Sequence, residues 1–334
     1  PSGADARGVH WAKPQLVAEV KFREWTRDNI LRQASFKGLR KDKSPGEIVR
    51  ETPVERSGSE TARGEEPAMF KRKRSSSLAV VAGVSVSHPD KILYPDQGVT
   101  KRALAEFYVT IADFILPHVV HRPLTLLRCP DGREGECFYQ KHLRESIPAP
   151  LRAISIREKN ATSEYIVIDD IKGLIALVQL GVLEIHPWGS SETNIEKPDT
   201  LTFDLDPGPG MKWPEVIEAA KLLRRRLEEL GLISFVKTSG GKGLHLVVPI
   251  QRRSGWEEVS AFARAVALDL VRRRPDRYTA EMRKVKRKGK IFIDYLRNNR
   301  GATTVAAYST RSWAGAPVST PIPVSYTHLT LPTK

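Results

Sequence analysis

Cysteine is scarce in this 334-residue chain. Cys129 and Cys137 are too few for a disulfide framework, and their spacing lacks a zinc-binding pattern. They predict reduced thiols in a cytosolic protein. No apolar run approaches the roughly 18 residues that a membrane span needs, and no secretory signal is present. A secreted disulfide scaffold and a membrane-spanning helix bundle are therefore excluded. Internal repeats are absent, and so is an initiator Met: the chain opens at Pro1 and reads as a piece of something longer. Acidic residues are in deficit, 39 Asp and Glu against 54 Lys and Arg, for a formal net charge of +15. An excess of that size suits a polyanionic partner, most simply nucleic acid. The remainder, 40% hydrophobic and 28% charged, is ordinary for a globular protein with one large domain and extras.

Composition divides the chain. Residues 1–50 contain an alternating, strand-like stretch, "HWAKPQLVAEVKFREWT", followed by the basic "SFKGLRKDKSPGEIVRE". A segment this short cannot enclose its own core, so it reads as the end of a separate module. Residues 51–79 turn to Ser, Glu, Arg, Gly and Pro with almost no apolar side chains, the composition of a flexible linker. Residues 80–323 form the main domain. Helices are expected at 100–116, with Thr100 as cap, at 170–181, at 214–230, where Pro214 suits a first turn, and at 256–274. Strands are expected at 125–129, 164–169, 201–206, 234–239, 244–250 and 290–296. They alternate without a regular βαβ repeat, which favours a mixed α+β core over a doubly wound sheet. The closing "VSYTHLTLPTK", residues 324–334, fits nothing before it and reads as a non-native tail.

Three stretches carry chemistry. In "TFDLDPGPG", Asp204 and Asp206 share one face of a strand while Phe203 and Leu205 share the other. Taken singly, the pair is a strand entering a Pro-Gly turn. In "KTSGGKGLHLVV", residues Ser239–Gly243 form a glycine-rich loop between strands, whose backbone N–H groups and Lys242 suit an anion. It is no Walker A loop, because the GxxxxGK[ST] spacing is missing and a strand follows it. Taken singly, it is a hairpin, and His245 is a structural histidine. In "KIFIDYLRNNRGATTVAAYSTR", Asp294 lies in an apolar strand where an unpaired carboxylate is costly. Arg297 is its nearest candidate donor. Together, three carboxylates would take hard divalent ions through oxygen ligands. Two such ions can bridge an attacking hydroxyl and a triphosphate, with Lys242, Arg297 and Arg311 compensating phosphate charge.

These stretches, with "HPDKILYPDQGVTK", "CFYQKH" and "LEIHPWGS", occur in order over most of residues 84–320. In them the chain resembles the polymerase domain of bacterial multifunctional non-homologous end-joining DNA ligases, the ligase D type. The resemblance implies the archaeo-eukaryotic primase-polymerase fold, with two packed β-sheets flanked by helices. It implies an enzyme that extends or fills DNA ends from NTP or dNTP, with Asp204, Asp206 and Asp294 binding two Mn2+ or Mg2+ ions. His186 falls at the family's active-site histidine. Ser239, Lys242 and His245 match its triphosphate-gripping motif, with Arg297 and Arg311 close by. Lys91 and Lys101 match a pocket for a DNA 5′-phosphate. Phe138 matches an aromatic that stacks on bases, and Tyr139 stands where the family commonly has a second Phe. The run "MRKVKRKGK", residues 282–290, would be a positive rail beside DNA.

Residues 9–50 resemble the end of the oligonucleotide-binding-fold half of an ATP-dependent DNA ligase, with "LRKDK" like its last motif. The ligase's nucleotidyl-lysine motif, K-x-D-G, is absent, so nick sealing is not expected of this chain. The implied partners are gapped or broken DNA with a 5′-phosphate, a Ku-like end-binding protein and the parent's ligase module, in the bacterial cytoplasm at the nucleoid. Two other readings stand beside template-dependent end repair: a primase that starts strands without a primer, and a non-catalytic scaffold that only binds DNA ends.

Overall fold

The computed structural model describes residues 78–322, apart from 144–146, together with the backbone of four short strands near the N terminus. The linker expected at 51–79, up to its last two residues, and the tail expected at 324–334 lie outside the described residues. The chain falls into two compact units, Pro1–Lys71 and Arg72–Lys334. In the first, β1 (Val17–Lys21) pairs antiparallel with β4 (Ser35–Arg40), and β2 (Glu24–Trp25) with β3 (Leu31–Arg32).

The second unit opens on two hairpins, β5 (Leu78–Val81) with β6 (Val84–Ser87) and β7 (Ile92–Tyr94) with β8 (Val99–Thr100). Helix α1 (Lys101–Thr110) starts where Thr100 Oγ1 accepts the Ala103 N–H at 3.1 Å, the N-cap bond that satisfies an orphan donor. The single helix expected to 116 is broken. Thr110 Oγ1 donates back to the Glu106 carbonyl, a bond that competes with helix geometry, and the chain restarts as α2 (Ala112–Val119).

A five-stranded antiparallel sheet follows, built from β9 (Leu124–Arg128), β10 (Phe138–Gln140), β11 (Arg152–Arg157), β12 (Thr162–Val167) and β13 (Val182–Pro187). Helix α3 (Ile171–Gln179), capped by Asp170, packs on it with α1 and α2 around Leu124, Leu126, Ile168, Leu174 and Ile185. The antiparallel register sets Arg128 opposite Phe138. Their neighbours Cys129 and Cys137 therefore stand 4.3 Å apart at Cα and are joined as a disulfide. This corrects the expectation of two free thiols. A count of cysteines carries no information about a strand register, and the register alone sets these two side by side.

The second sheet has six strands in the order β17-β18-β14-β16-β15-β19. They are β14 (Thr200–Pro207), β15 (Phe235–Thr238), β16 (Leu244–Pro249), β17 (Tyr278–Thr279), β18 (Ile291–Asp294) and β19 (Pro321–Ile322). Two helices cover one face, α4 (Trp213–Glu229) and α5 (Trp256–Arg273). Along α4, Val216, Ala219, Ala220, Leu223 and Leu227 recur at helical spacing and are buried against Phe203, Leu205 and Leu246. The opposite face of α4 carries ion pairs such as Arg224–Glu228. The architecture is thus α+β, two sheets with helices packed on them. Residues 303–319 run between the sheets: the Ala306 N–H donates to Ile185 O of β13, while Lys237 of β15 donates to Val305 O. Among the described residues no helix is long and apolar enough to cross a membrane.

Candidate active site

Directly opposed residues on paired strands project from the same face of a sheet. Asp294 on β18 opposes Asp204 on β14; Asp204 opposes His245 on β16; His245 opposes Lys237 on β15. Four polar side chains form one row across four strands: carboxylate, carboxylate, imidazole, ammonium. Asp206 lies on the same face, two residues along β14. The alternate residues Phe203 and Leu205 point the other way into the second core. Residues 90 positions apart in sequence meet because β18 inserts beside β14.

The row is electrostatically strained. Arg297 Nε lies 3.1 Å from Asp294 Oδ2 and its Nη2 lies 3.6 Å from Asp204 Oδ2, so the expected donor to Asp294 serves both carboxylates. Arg287 Nη1 donates to Asp206 Oδ2 at 2.7 Å, with its guanidinium 3.9 Å from the centre of the Phe292 ring. Even so, burial pushes the Asp206 and Asp294 carboxyls up, and the neighbouring Asp204 charge adds to the push. Burial opposes ionisation of Asp204 too, yet His245, Arg297 and Lys237 together hold it below the usual range. Three carboxylates on one face make an all-oxygen donor set of the kind a hard divalent cation takes, one that Arg297 and Arg287 now pair with. Among the described residues, the group whose possible ligand atoms all lie within 4.8 Å of one another is not this row but His121, Asp169 and Glu192. There, Arg152 already donates to Asp169 at 2.6 Å and to Glu192 at 2.8 Å, so that surface cluster is a neutralised ion-pair network.

The glycine-rich loop is the β15–β16 turn. Ser239 Oγ accepts the Gly243 N–H at 3.1 Å and the Gly241 N–H at 3.3 Å, so this hydroxyl shapes the loop from within. Gly240 has φ +68°, where L side chains are strained, and a Cβ there would stand 2.5 Å from Arg311 Cγ. A Cβ on Gly243 would stand 2.3 Å from the Leu205 carbonyl oxygen. Gly243→Ala is accordingly expected to cost on the order of 1–3 kcal/mol by prising the loop from β14, measured as a lowered midpoint in urea unfolding. Lys242 is solvent-exposed at the loop tip.

Arg311 arrives on the segment between the sheets and donates through Nη1 to the Ser239 carbonyl. Its Nε lies 3.0 Å from Glu184 Oε2. Glu184 is 1% exposed and also meets His186 Nε2 at 2.9 Å. The Ser312 N–H and hydroxyl both donate to its other oxygen at 2.8 Å. Burial opposes its charge, but His186, Arg311 and Ser312 bring the carboxyl down to about 2. His186 therefore sits at the edge of the first sheet, fixed by a buried carboxylate, with Tyr139 edge-on to its ring at 5.8 Å.

Phe138 and Tyr139 are 44% and 63% exposed on β10, solvent-facing aromatic surface of the kind bases stack on, and the Arg128 guanidinium lies 5.5 Å from the centre of the Phe138 ring. Lys91 and Lys101 are neighbours joined by a backbone hydrogen bond. Lys101 is buried and donates to Ser87 O at 3.1 Å, and burial, with Lys91 beside it, brings its ammonium down to about 8. Lys91 donates to Asp131.

Sequence reasoning passed over three residues here. Lys237 stood in the quoted loop stretch without a role; its place opposite His245 follows only from the hairpin register. Glu184 is two residues before His186, and strand alternation on "LEIHP" was the available signal. Arg287 was counted only as one charge in a basic run.

The fold and site define an α+β domain in which an acidic row on one sheet faces an anion-suited loop and a cluster of arginines. Residues 100–329 match the family described as "LigD, primase-polymerase domain", and residues 1–43 match "ATP dependent DNA ligase C terminal region". The chain belongs to the LigD primase-polymerase family, with a ligase C-terminal region before it. It is 42% identical over 325 residues to the multifunctional non-homologous end joining protein LigD of Pseudomonas aeruginosa, covering 96% of this chain and 38% of that protein. It is 39% identical over 230 residues to LigD of Mycolicibacterium smegmatis, covering 68% of this chain and 30% of that one. The polymerase domain of Mycobacterium tuberculosis ligase D, solved in complex with DNA, is similar in structure, with a TM-score of 0.70 and 34% identity over 73% of this chain and 88% of the other. The chain spans well under half the length of these full-length relatives.

Proposed function

We propose that this domain is a template-dependent nucleotidyltransferase that fills gaps and extends 3′ ends at DNA double-strand breaks during non-homologous end joining. The single observation that carries this reading is the register that sets Asp294 opposite Asp204, with Asp206 beside them, next to the Ser239–Gly243 loop. Asp204, Asp206 and Asp294 would hold two Mn2+ or Mg2+ ions. Such ions, when bound, neutralise a nucleoside triphosphate and make the primer 3′-hydroxyl a better nucleophile. The chain's own part is positioning and charge. The Gly240 and Lys242 N–H groups of the loop, the Lys242 side chain and Arg297 receive the triphosphate, and the His245 ring stands beside Asp204. Arg311 braces the loop through the Ser239 carbonyl, and Glu184 sets the His186 ring. Phe138 and Tyr139 stack on template bases. Partners in this reading are DNA ends, a Ku-like end-binding protein and the ligase module of the parent, in the bacterial cytoplasm; nick sealing belongs elsewhere in the parent.

The test is addition of labelled ribonucleoside triphosphate and Mn2+ to a gapped duplex bearing a 5′-phosphate. Extension of the primer across the gap is expected. Synthesis only on unprimed template would make the domain a primase. Tight DNA binding without nucleotide addition under any divalent ion, in a folded protein, would make it a scaffold.

Lys101 supplies a pH prediction. Its ammonium is charged below about pH 8 and neutral above it, so preference for a 5′-phosphate end over a 5′-hydroxyl end should decline as pH rises through that value. Fluorescence anisotropy with the two duplexes from pH 6.5 to 9.5 reads this directly, and Lys101→Arg should flatten the curve because a guanidinium stays charged.

A further inference from the structure

Lys237 has no part in the scheme above, yet it is among the most enclosed charges in the domain. It is 5% exposed, and its Nζ lies 2.8 Å from His245 Nδ1, 2.9 Å from Val305 O and 2.9 Å from Ser319 Oγ. Burial brings the Lys237 ammonium down to about 7; in its charged form a donor inventory places the protons. Val305 O can only accept. Ser319 spends its hydroxyl proton on the Thr238 carbonyl at 2.7 Å, so its oxygen also accepts from Lys237. The third contact, to His245, has two possible polarities. Were Nδ1 the protonated nitrogen, it would meet the Lys237 ammonium donor to donor, and Nε2 would turn a lone pair on Asp204 Oδ1, 3.4 Å away. With Lys237 as the donor, all three of its N–H bonds are used, Nδ1 accepts, and the remaining ring proton stands on Nε2 facing Asp204.

We propose that Lys237 is the positioning residue of this site, holding His245 in the tautomer whose Nε2–H faces Asp204 and an incoming phosphate. The inference rests on the nucleotidyl-transfer reading for its functional consequence but not for its chemistry. The lysine is placed for the task by the sheet itself, since β15 sets it opposite His245. The segment that closes over it from between the sheets supplies both oxygen acceptors. Any buried ammonium needs its N–H groups accepted; what distinguishes Lys237 is that one of its three acceptors is the ring nitrogen of His245, whose other nitrogen faces Asp204. Groups that orient a ring nitrogen from behind a reacting centre are worth about 10–100-fold when removed.

Histidine-selective 15N labelling of the full chain tests this. The expected result for the wild type is a His245 signal with Nε2 protonated and Nδ1 bare; a protonated Nδ1 overturns the assignment, and no variant is needed to learn it. In Lys237→Met, of similar length and without a donor, the His245 signals should move toward the other tautomer. The rate of nucleotide addition at saturating DNA should drop by about 10–100-fold with the KM for DNA unchanged. A folded Lys237→Met with the wild-type tautomer and undiminished turnover would overturn the proposal. If that variant fails to fold, Lys237→Gln retains a donor and is the converse test: His245 should keep Nε2 protonated, and a move to a protonated Nδ1 would overturn the proposal. An inactive wild type carrying Nε2–H would sink the nucleotidyl-transfer reading and leave the lysine's role in place, whereas an active wild type carrying Nδ1–H would do the reverse.

Discussion

Asp294→Asn should abolish nucleotide addition by at least about a thousandfold, the several kcal/mol a bound metal supplies, while leaving the fold as stable or more so. The two halves of this result have different causes. For catalysis, Asn offers a cation one neutral carbonyl oxygen in place of a carboxylate. For stability, the Asp294 carboxyl is pushed up by burial, then by the Asp204 charge, against the pull of Arg297. A carboxyl raised in the folded state contributes stability at low pH that is lost as pH climbs through its folded value. At neutral pH the ionised group is therefore a cost. Asn removes the charge, and its carbonyl can still accept the Leu296 N–H, which Asp294 Oδ1 now accepts at 2.9 Å. Primer extension, Mn2+ titration by calorimetry and thermal unfolding together measure both halves. A variant that still extends primers at a wild-type rate would remove Asp294 from the metal set. One that unfolds much earlier would show its charge to be structural.

Glu184→Ala is expected to have the largest effect on stability, on the order of 3–5 kcal/mol, the usual loss when one partner of a buried ion pair is removed. Arg311 and His186 would both lose their carboxylate, as would the Ser312 N–H and hydroxyl. Glu184→Gln keeps an acceptor for Ser312 and should cost less. The wild type carries a matching acid signature. Because the Glu184 carboxyl lies near 2 against an ordinary 4.5, its contribution is present above 4.5 and is lost as pH falls from there toward 2. That difference corresponds to about 3 kcal/mol. Urea unfolding at pH 7, 4 and 3 checks this: the gap between wild type and Glu184→Gln should close as pH drops. A gap that persists unchanged at pH 3 would mean the carboxylate charge is not what stabilises the segment.

Which parts of this were legible beforehand follows the range of the interactions. Thr100 at a helix start and the amphipathic spacing of Val216, Ala219, Leu223 and Leu227 are local, and each was readable from neighbouring residues. Strand β13 was not read: Glu184 and His186 alternate with Leu183 and Ile185, but both faces are buried, so the polar side does not mark a solvent face. Break points within helices depend on single side chains, as at Thr110. Cys129 and Cys137 were misread for a related reason: eight residues of spacing say nothing until β9 and β10 are paired in register.

From the order of residues alone came the α+β class, the alternation that turns Asp204 and Asp206 to one side, the loop of glycines and the basic balance of the chain. All of these depend on steric period, backbone freedom or charge count, which are properties of short stretches. Only the tertiary structure decided that Asp294 stands across from Asp204, that Lys237 lies behind His245, and that Glu184 and Arg311 meet between two sheets. Those contacts join strands far apart in the chain, and burial then sets which of the assembled charges are comfortable and which call for a counter-ion.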